Sequence, residues 1–261
     1  MKPRPAADIL LRITGRRRER LGLDAAYAEM PQRAAVAGSG ELFLDALSRH
    51  RRHAVIAEVK MGSPRLGSLA GRIDPEKQAR LYAEHGAAAL SVVVEPDFFH
   101  GSYALLERCK AASGLPSIAK DFVVDERQLD WAVAAGADAV LLIAALHARD
   151  ELRGFAAAAR RRGLVPLIET HDAEDLAVLE GAEWELVGVN NRDLRTFEVD
   201  LEHSIAMSPR LPAGCLKVAE SGIRGAADVA RLRGAGFDAF LVGETLLLAD
   251  DPAGMLEELA S

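Results

Sequence analysis

Short apolar runs recur along this chain, and each is followed by a longer helix-like stretch. The runs are Ala54–Lys60, Ala88–Val94, Pro116–Lys120, Ala139–Ala144, Val165–Glu169, Glu185–Asn190, Leu216–Glu220 and Ala239–Gly243. The helix-like segments fall near residues 75–85, 103–112, 126–135, 148–162, 173–180, 200–207, 225–234 and 252–260. Several end in glycine before the next strand, at Gly86, Gly136, Gly181 and Gly236, which fits a left-handed C-cap. Strands alternating with helices imply a parallel sheet, and eight such units close a (β/α)8 TIM barrel.

Residues 1–50 read differently. Asp8 is a candidate cap for a helix from Ile9 toward Leu21, with Ile9, Leu10, Ile13 and Leu21 as its apolar stripe. The other face carries Arg16, Arg17, Arg18 and Arg20 and is expected to be solvated, with anion binding as the alternative. Gly38-Ser39-Gly40 breaks the chain, and Glu41–Leu47 reads as a second short helix. The expectation is one domain: a helical extension over 1–50 packed on a barrel over 51–261.

Composition refines this picture only modestly. A chain of 261 residues suits such a barrel, and 49% hydrophobic with 27% charged residues is ordinary for a soluble protein with a sizeable core. The formal net charge of −7 argues against a nucleic-acid partner, though it says nothing about a local basic pocket for an anion. Cys109 and Cys215 sit far apart, lack partners at metal-ligand spacing, and read as reduced structural thiols. Met1-Lys2-Pro3-Arg4-Pro5 is not followed by the apolar core of a signal peptide, and no run approaches the ~20 apolar residues that span a bilayer. A cytoplasmic protein without a membrane partner is expected, as a monomer or weak homodimer.

The ends of the apolar runs carry the candidate chemistry. Glu58 and Lys60 are two residues apart and share a strand face; Lys120 follows Ile118, Glu169 follows Leu167 and Glu220 follows Val218 by the same step. Charged groups on apolar strands are costly inside without partners, which places them at the barrel mouth, where all strand C-termini converge. Lys60, Lys120 and Glu169 end the first, third and fifth strands, and alternate strands feed one layer of the interior. Taken singly, Lys60 reads equally as a surface ion pair and Lys120 as a snorkelling side chain. Asn190-Asn191-Arg192-Asp193-Leu194 reads either as a polar turn or as a ligand contact, with Arg192 gripping a carboxylate. Glu220-Ser221-Gly222-Ile223-Arg224 and Val242-Gly243-Glu244-Thr245 follow the last two strands, where such barrels build phosphate sites. Glu244 fits an anion site if its main-chain N–H donates while its carboxylate points away.

Together these segments resemble the indole-3-glycerol phosphate synthase family, from about Asp8 to the C-terminus and most strongly from Val55 to Leu248. The resemblance rests on Ala57-Glu58-Val59-Lys60 with Ser63-Pro64, Phe98-Phe99-His100-Gly101-Ser102, Lys120-Asp121-Phe122, the Asn190–Leu194 segment and the Glu220–Arg224 segment. It implies ring closure, decarboxylation and dehydration of 1-(2-carboxyphenylamino)-1-deoxyribulose 5-phosphate, with no cofactor and no metal. By resemblance Lys120 protonates the ketone oxygen, Lys60 assists departure of hydroxide, and Glu169 is the base of dehydration. Glu58 and Asn190 orient substrate and Lys60, while Glu220 adds negative charge. Ser63, Ser221, Gly222, Gly243 and Glu244 correspond to the phosphate site. Pro64, Phe99, Phe122, Leu141 and Leu194 correspond to the walls around the aromatic ring, with Arg192 near its carboxylate.

The chemistry agrees with this casting. Ring closure puts charge on a carbonyl oxygen, where a held proton donor is worth ~10²–10⁴-fold. Whether burial lowers the lysine pKa or Glu58 and Glu220 raise it stays open at this level. Three departures stand out: Arg65 and Leu66 follow Pro64 where the family usually has a second serine, and Val94 replaces a frequent threonine. They bear on loop closure and selectivity rather than on reaction class. A Schiff-base lyase or isomerase on the same barrel, a paralogue in specialised indole metabolism and a non-catalytic scaffold remain the alternatives.

Overall fold

The computed structural model describes residues 8–21, 39–50, 53–64, 67–193 and 196–261. Eight strands form the barrel: β1 (Ala54–Val59), β2 (Ala89–Val93), β3 (Ser117–Lys120), β4 (Ala139–Ile143), β5 (Val165–Thr170), β6 (Leu186–Asn190), β7 (Leu216–Glu220) and β8 (Ala239–Val242). All pairings in it are parallel and join strands adjacent in sequence, and β8 returns to β1 to close the barrel. Two-residue strands at Gly62–Ser63 and Gly67–Ser68 pair antiparallel in the loop after β1.

The helices are α1 (Asp8–Leu21), α2 (Ser39–Arg49), α3 (Pro75–Glu84), α4 (Tyr103–Ser113), α5 (Arg127–Ala134), α6 (Arg149–Arg161), α7 (Ala173–Leu179), α8 (Leu201–Met207), α9 (Ala226–Gly234), α10 (Glu244–Leu248) and α11 (Pro252–Ala260). Those following the strands lie within one residue of the limits expected from sequence, α10 excepted. Side chains fix several starts. Asp74 accepts from the main chain of Glu76 and Lys77 with Pro75 at the first turn, Ser102 from Leu105, and Asp172 from Glu174 and Asp175. Gly86, Gly136, Gly181 and Gly236 all take positive φ where helices turn back toward strands.

Strand alternation divides the core in two. Ile56, Ile118, Leu167 and Val218, each fully buried, fill the interior together with Phe43 and Leu47 of α2. α2 closes the N-terminal end of the barrel: the Gly40 N–H donates to the Gly163 carbonyl at 2.9 Å, just ahead of β5. Each such buried apolar side chain contributes roughly 1.5–3 kcal/mol. Outward residues, such as Val55, Ala57 and Val187, pack against Leu106, Leu129, Leu152 and Leu232 of the surrounding helices. Cys109 and Cys215 are free and buried. Among the described residues no helix is long and apolar enough to cross a membrane.

The arginine face of α1 departs from expectation in part: Arg16 and Arg18 are exposed, whereas Arg17 and Arg20 turn onto the barrel. Arg17 is 1% exposed and donates to Asp121 Oδ2 from Nε at 3.2 Å and Nη2 at 2.8 Å. Tyr103 Oη and Gln128 Nε2 donate to the same oxygen at 2.7 and 2.9 Å, and the Arg17 guanidinium lies 5.5 Å from the Trp131 ring centre. Arg20 pairs with Asp97 at 3.1 Å. The helix turns these arginines onto the barrel because their partners lie about a hundred residues on, beyond any local pattern. α1 is thereby clamped to the residue that follows Lys120. The second helix also starts earlier than Glu41, because Ser39 and Gly40 both bond to Gly163.

Candidate active site

Each strand that ends in a charge carries a buried apolar residue two positions earlier: Ile56 before Glu58, Ile118 before Lys120, Leu167 before Glu169, Val218 before Glu220. The pleat therefore stacks a polar layer on the apolar interior at the C-terminal face. That layer floors a cavity of about 190 Å³.

Glu58 organises the floor. It accepts from Lys60 Nζ on Oε1 at 2.9 Å and from Lys120 Nζ on Oε2 at 3.2 Å, so one carboxylate holds both ammonium groups. Lys120 Nζ also reaches Glu220 Oε2 at 3.4 Å. Burial alone would raise the Glu58 carboxyl, but the Lys60 and Lys120 charges overcome it and hold it down at about 2. Burial would likewise weaken the Lys120 ammonium, yet Glu58, Glu220 and Glu169 outweigh it, and Lys120 stays protonated far into alkaline solution. That settles the balance left open by sequence. Glu220 shows the opposite outcome: burial and the Glu169 carboxylate push it up to about 8 against the pull of Lys120.

Two glycines make this packing possible. A Cβ on Gly243 would lie 2.9 Å from Glu58 Cδ and 3.1 Å from Glu58 Cβ. One on Gly188, which pairs with Glu169 across β5 and β6, would lie 3.3 Å from Glu220 Cδ and closer still to its Oε1. Any larger residue displaces a carboxylate from the lysines.

The walls come from the loops. Phe99 and Phe122 face each other with ring centres 5.9 Å apart and share the cavity with Pro64 and Leu141. Glu95 shapes the Phe99 loop, accepting the main-chain N–H groups of Asp97, Phe98 and Phe99 at 2.9, 2.7 and 3.0 Å. Across the cavity, Asn190 Oδ1 accepts the Arg192 N–H at 3.0 Å, and the Arg192 guanidinium lies 3.4 Å from the Glu244 carboxylate. Ser221 and Gly222 take successive positive φ values of 67° and 80°. Such turns group main-chain N–H donors into anion-binding concavities. They line the cavity beside Gly243, Glu244 and Ser63.

Glu58, Lys60, Ser63, Pro64, Phe99, Lys120, Phe122, Leu141, Glu169, Asn190, Arg192, Ser221, Gly222, Gly243 and Glu244 thus line one cavity. Glu220 sits fully buried against Lys120. Leu194 lies outside the described residues, as do Arg65 and Leu66. Sequence reading missed the contribution of α1: Ile9, Leu10 and Ile13 complete the apolar wall. Their stripe was visible, but not its place over the mouth. It also missed Phe197 and, beside Glu169, His171, which two-residue spacing along β5 could have found. Among the described residues no group of three His, Cys, Asp or Glu side chains is placed to hold a metal ion.

Comparison with known proteins bears on the fold and on the family. Over 79% of its length the chain superposes on 3-hexulose-6-phosphate synthase from Salmonella typhimurium, covering 96% of that chain at a TM-score of 0.62 and 15% identity, a likeness of fold alone.

 Sequence likeness is far closer. A protein from Albidiferax ferrireducens named indole-3-glycerol phosphate synthase is 40% identical over 258 residues, covering 97% of this chain and 98% of its own. One of the same name from Koribacter versatilis is 44% identical over 206 residues, 79% of each chain. The family model described as indole-3-glycerol phosphate synthase matches residues 11–259. With that match running through every strand of the barrel, the chain belongs to the indole-3-glycerol phosphate synthase family.

Proposed function

We propose that this chain performs its family's carboxy-lyase reaction in tryptophan biosynthesis, converting 1-(2-carboxyphenylamino)-1-deoxyribulose 5-phosphate to indole-3-glycerol phosphate, carbon dioxide and water. The observation that carries the reading is the Glu58 carboxylate holding Lys60 and Lys120 on its two oxygens, in the cavity that Glu169 also lines.

In this reading the phosphate lies against Ser63, Ser221, Gly222 and the main chain of Gly243 and Glu244. The aromatic ring lies against the Phe99–Phe122 pair, Pro64, Leu141 and the α1 residues. Its carboxylate faces Arg192, whose hold on Glu244 leaves the grip on substrate loose enough for the carboxylate to depart. The ring carbon bearing the carboxylate attacks the ketone carbon, and the carbonyl electrons move to oxygen. That oxygen becomes far more basic than an amine, so even a strongly held Lys120 proton transfers favourably as the bond forms. The bond to the carboxylate then breaks and its electrons restore the aromatic system. Lys60 protonates the departing hydroxide, and Glu169 removes the proton whose loss completes the indole. Two protons are given and one is taken back. The net uptake of one matches the negative charge lost as the carboxylate leaves as neutral carbon dioxide. Asn190 and Glu58 keep the lysines and substrate in register, and Glu220 keeps Lys120 charged.

The same reading takes the protein to be a cytoplasmic monomer or weak homodimer, with residues 1–50 and the barrel of 51–261 working as one unit around the substrate. The test is to mix purified protein with the anilino-ribulose phosphate and follow indole fluorescence. Turnover well above that of a Lys120→Ala, Glu169→Ala double variant is expected. A lysine adduct trapped by borohydride, with no fluorescence, would instead mean Schiff-base chemistry.

A further inference from the structure

Two residues beyond Glu169, just past the end of β5, His171 places a second titratable side chain against the same cavity floor. Its side chain is 14% exposed and both ring nitrogens are sealed from solvent. Nε2 lies 3.4 Å from Glu169 Oε1, and Nδ1 lies 3.6 Å from Asp175 Oδ2. Asp175 is itself fixed: it is 3% exposed, sits in the first turn of α7, and accepts the His171 main-chain N–H at 2.7 Å. From α8, the His203 ring contacts the His171 carbonyl. The backbone is therefore held from both sides, and the imidazole lies between two carboxylates at ion-pair distance without a hydrogen bond to either.

We infer that His171 is a positioning residue for Glu169: its imidazolium, paired with Asp175, sets a positive charge against the Glu169 carboxylate and holds that carboxylate in place. The inference rests on the reading of Glu169 as the base of dehydration. Charge and geometry argue for it together. Lys60 and Lys120 make their hydrogen bonds to Glu58 and Glu220, and among the described residues the cation in ion-pair contact with Glu169 is His171. Glu169 and Glu220 share this buried floor and each disfavours the other's charge, a repulsion that a cation beside Glu169 relieves. Burial opposes the charged ring, but Asp175, Glu169 and Glu220 outweigh it and raise the His171 pKa. The imidazolium is thus present below that raised value and lost as pH rises through it.

Steady-state kinetics of His171→Gln across pH, on the full chain, supply the first readout. The expected result is a kcat about tenfold lower, a KM within twofold of the parent, and an acid limb of the kcat profile displaced upward by about one pH unit. A purely structural role would leave that limb in place. The second readout keeps His171 intact: the imidazole titration, followed by NMR on carbon-labelled histidine, should move to lower pH in Glu169→Gln. An unmoved titration, or a His171→Gln enzyme with parental kcat and acid limb, overturns the inference. Turnover of Glu169→Gln separates the two claims. If that variant keeps parental activity, the base assignment fails whatever the titration shows; if it is inactive and the titration is unmoved, only the role of His171 falls.

Discussion

Glu58→Gln removes one charge from the floor of the site with almost no change of volume, and its consequences follow from the geometry. Holding a buried carboxyl at about 2 rather than 4.5 corresponds to about 3 kcal/mol of extra preference for its charged form. Because the folded value is depressed, that stability is fully present above about pH 4.5 and drains away as pH falls toward 2. The amide can accept from only one of the two ammonium groups, and its own NH₂ opposes the other. Urea denaturation at pH 7 should show a loss of roughly 2–3 kcal/mol, and the decline of stability between pH 4.5 and 2 should flatten. With one proton donor released from its register, kcat/KM followed by indole fluorescence should drop on the order of 100-fold, about 2.7 kcal/mol of transition-state stabilisation. A variant with kcat/KM within threefold of the parent, or an acid-unfolding curve that superimposes on it, would refute the bridging role.

Other consequences follow from neighbouring contacts. Arg17→Met strips the buried Asp121 carboxylate of its cation and should lower stability by about 3–5 kcal/mol, roughly 10 °C in Tm by calorimetry, with Asp121→Asn recovering part of the loss in the double variant. Glu220 behaves oppositely to Glu58. Its folded value is raised to about 8, so it weakens the fold progressively as pH rises from the ordinary carboxylate range toward 8. Glu220→Gln should therefore melt at higher temperature than the parent, with a gap that widens from pH 5 to 8, while losing activity. Glu95→Ala frees three main-chain donors beneath the Phe99 loop and should raise KM about tenfold with kcat within threefold, read from steady-state kinetics.

The barrel was legible because strands and helices differ in period, and the polar layer because a two-residue step carries Ile56 to Glu58 and Leu167 to Glu169 on one face. What sequence spacing could not show was which charges meet. Glu58 was expected to orient Lys60, but its second oxygen reaches Lys120, 62 residues away. Arg17 looked like part of a solvated face because its partner lies 104 residues on. The stripe of Ile9, Leu10 and Ile13 was readable as apolar, yet its burial in the cavity wall depends on that same distant clamp. The helix Glu244–Leu248 escaped notice because five residues are too few for a period to register.

The assignment of separate steps to Lys120 and Glu169 is tested most directly by single-turnover reactions in which carbon dioxide release and indole fluorescence are recorded together. Lys120→Met should give neither signal, because ring closure precedes both. Glu169→Gln should release carbon dioxide while fluorescence lags or fails to appear, because only dehydration is blocked. Carbon dioxide from the Lys120 variant, or its absence from the Glu169 variant, would contradict the order of steps and the roles given to both residues.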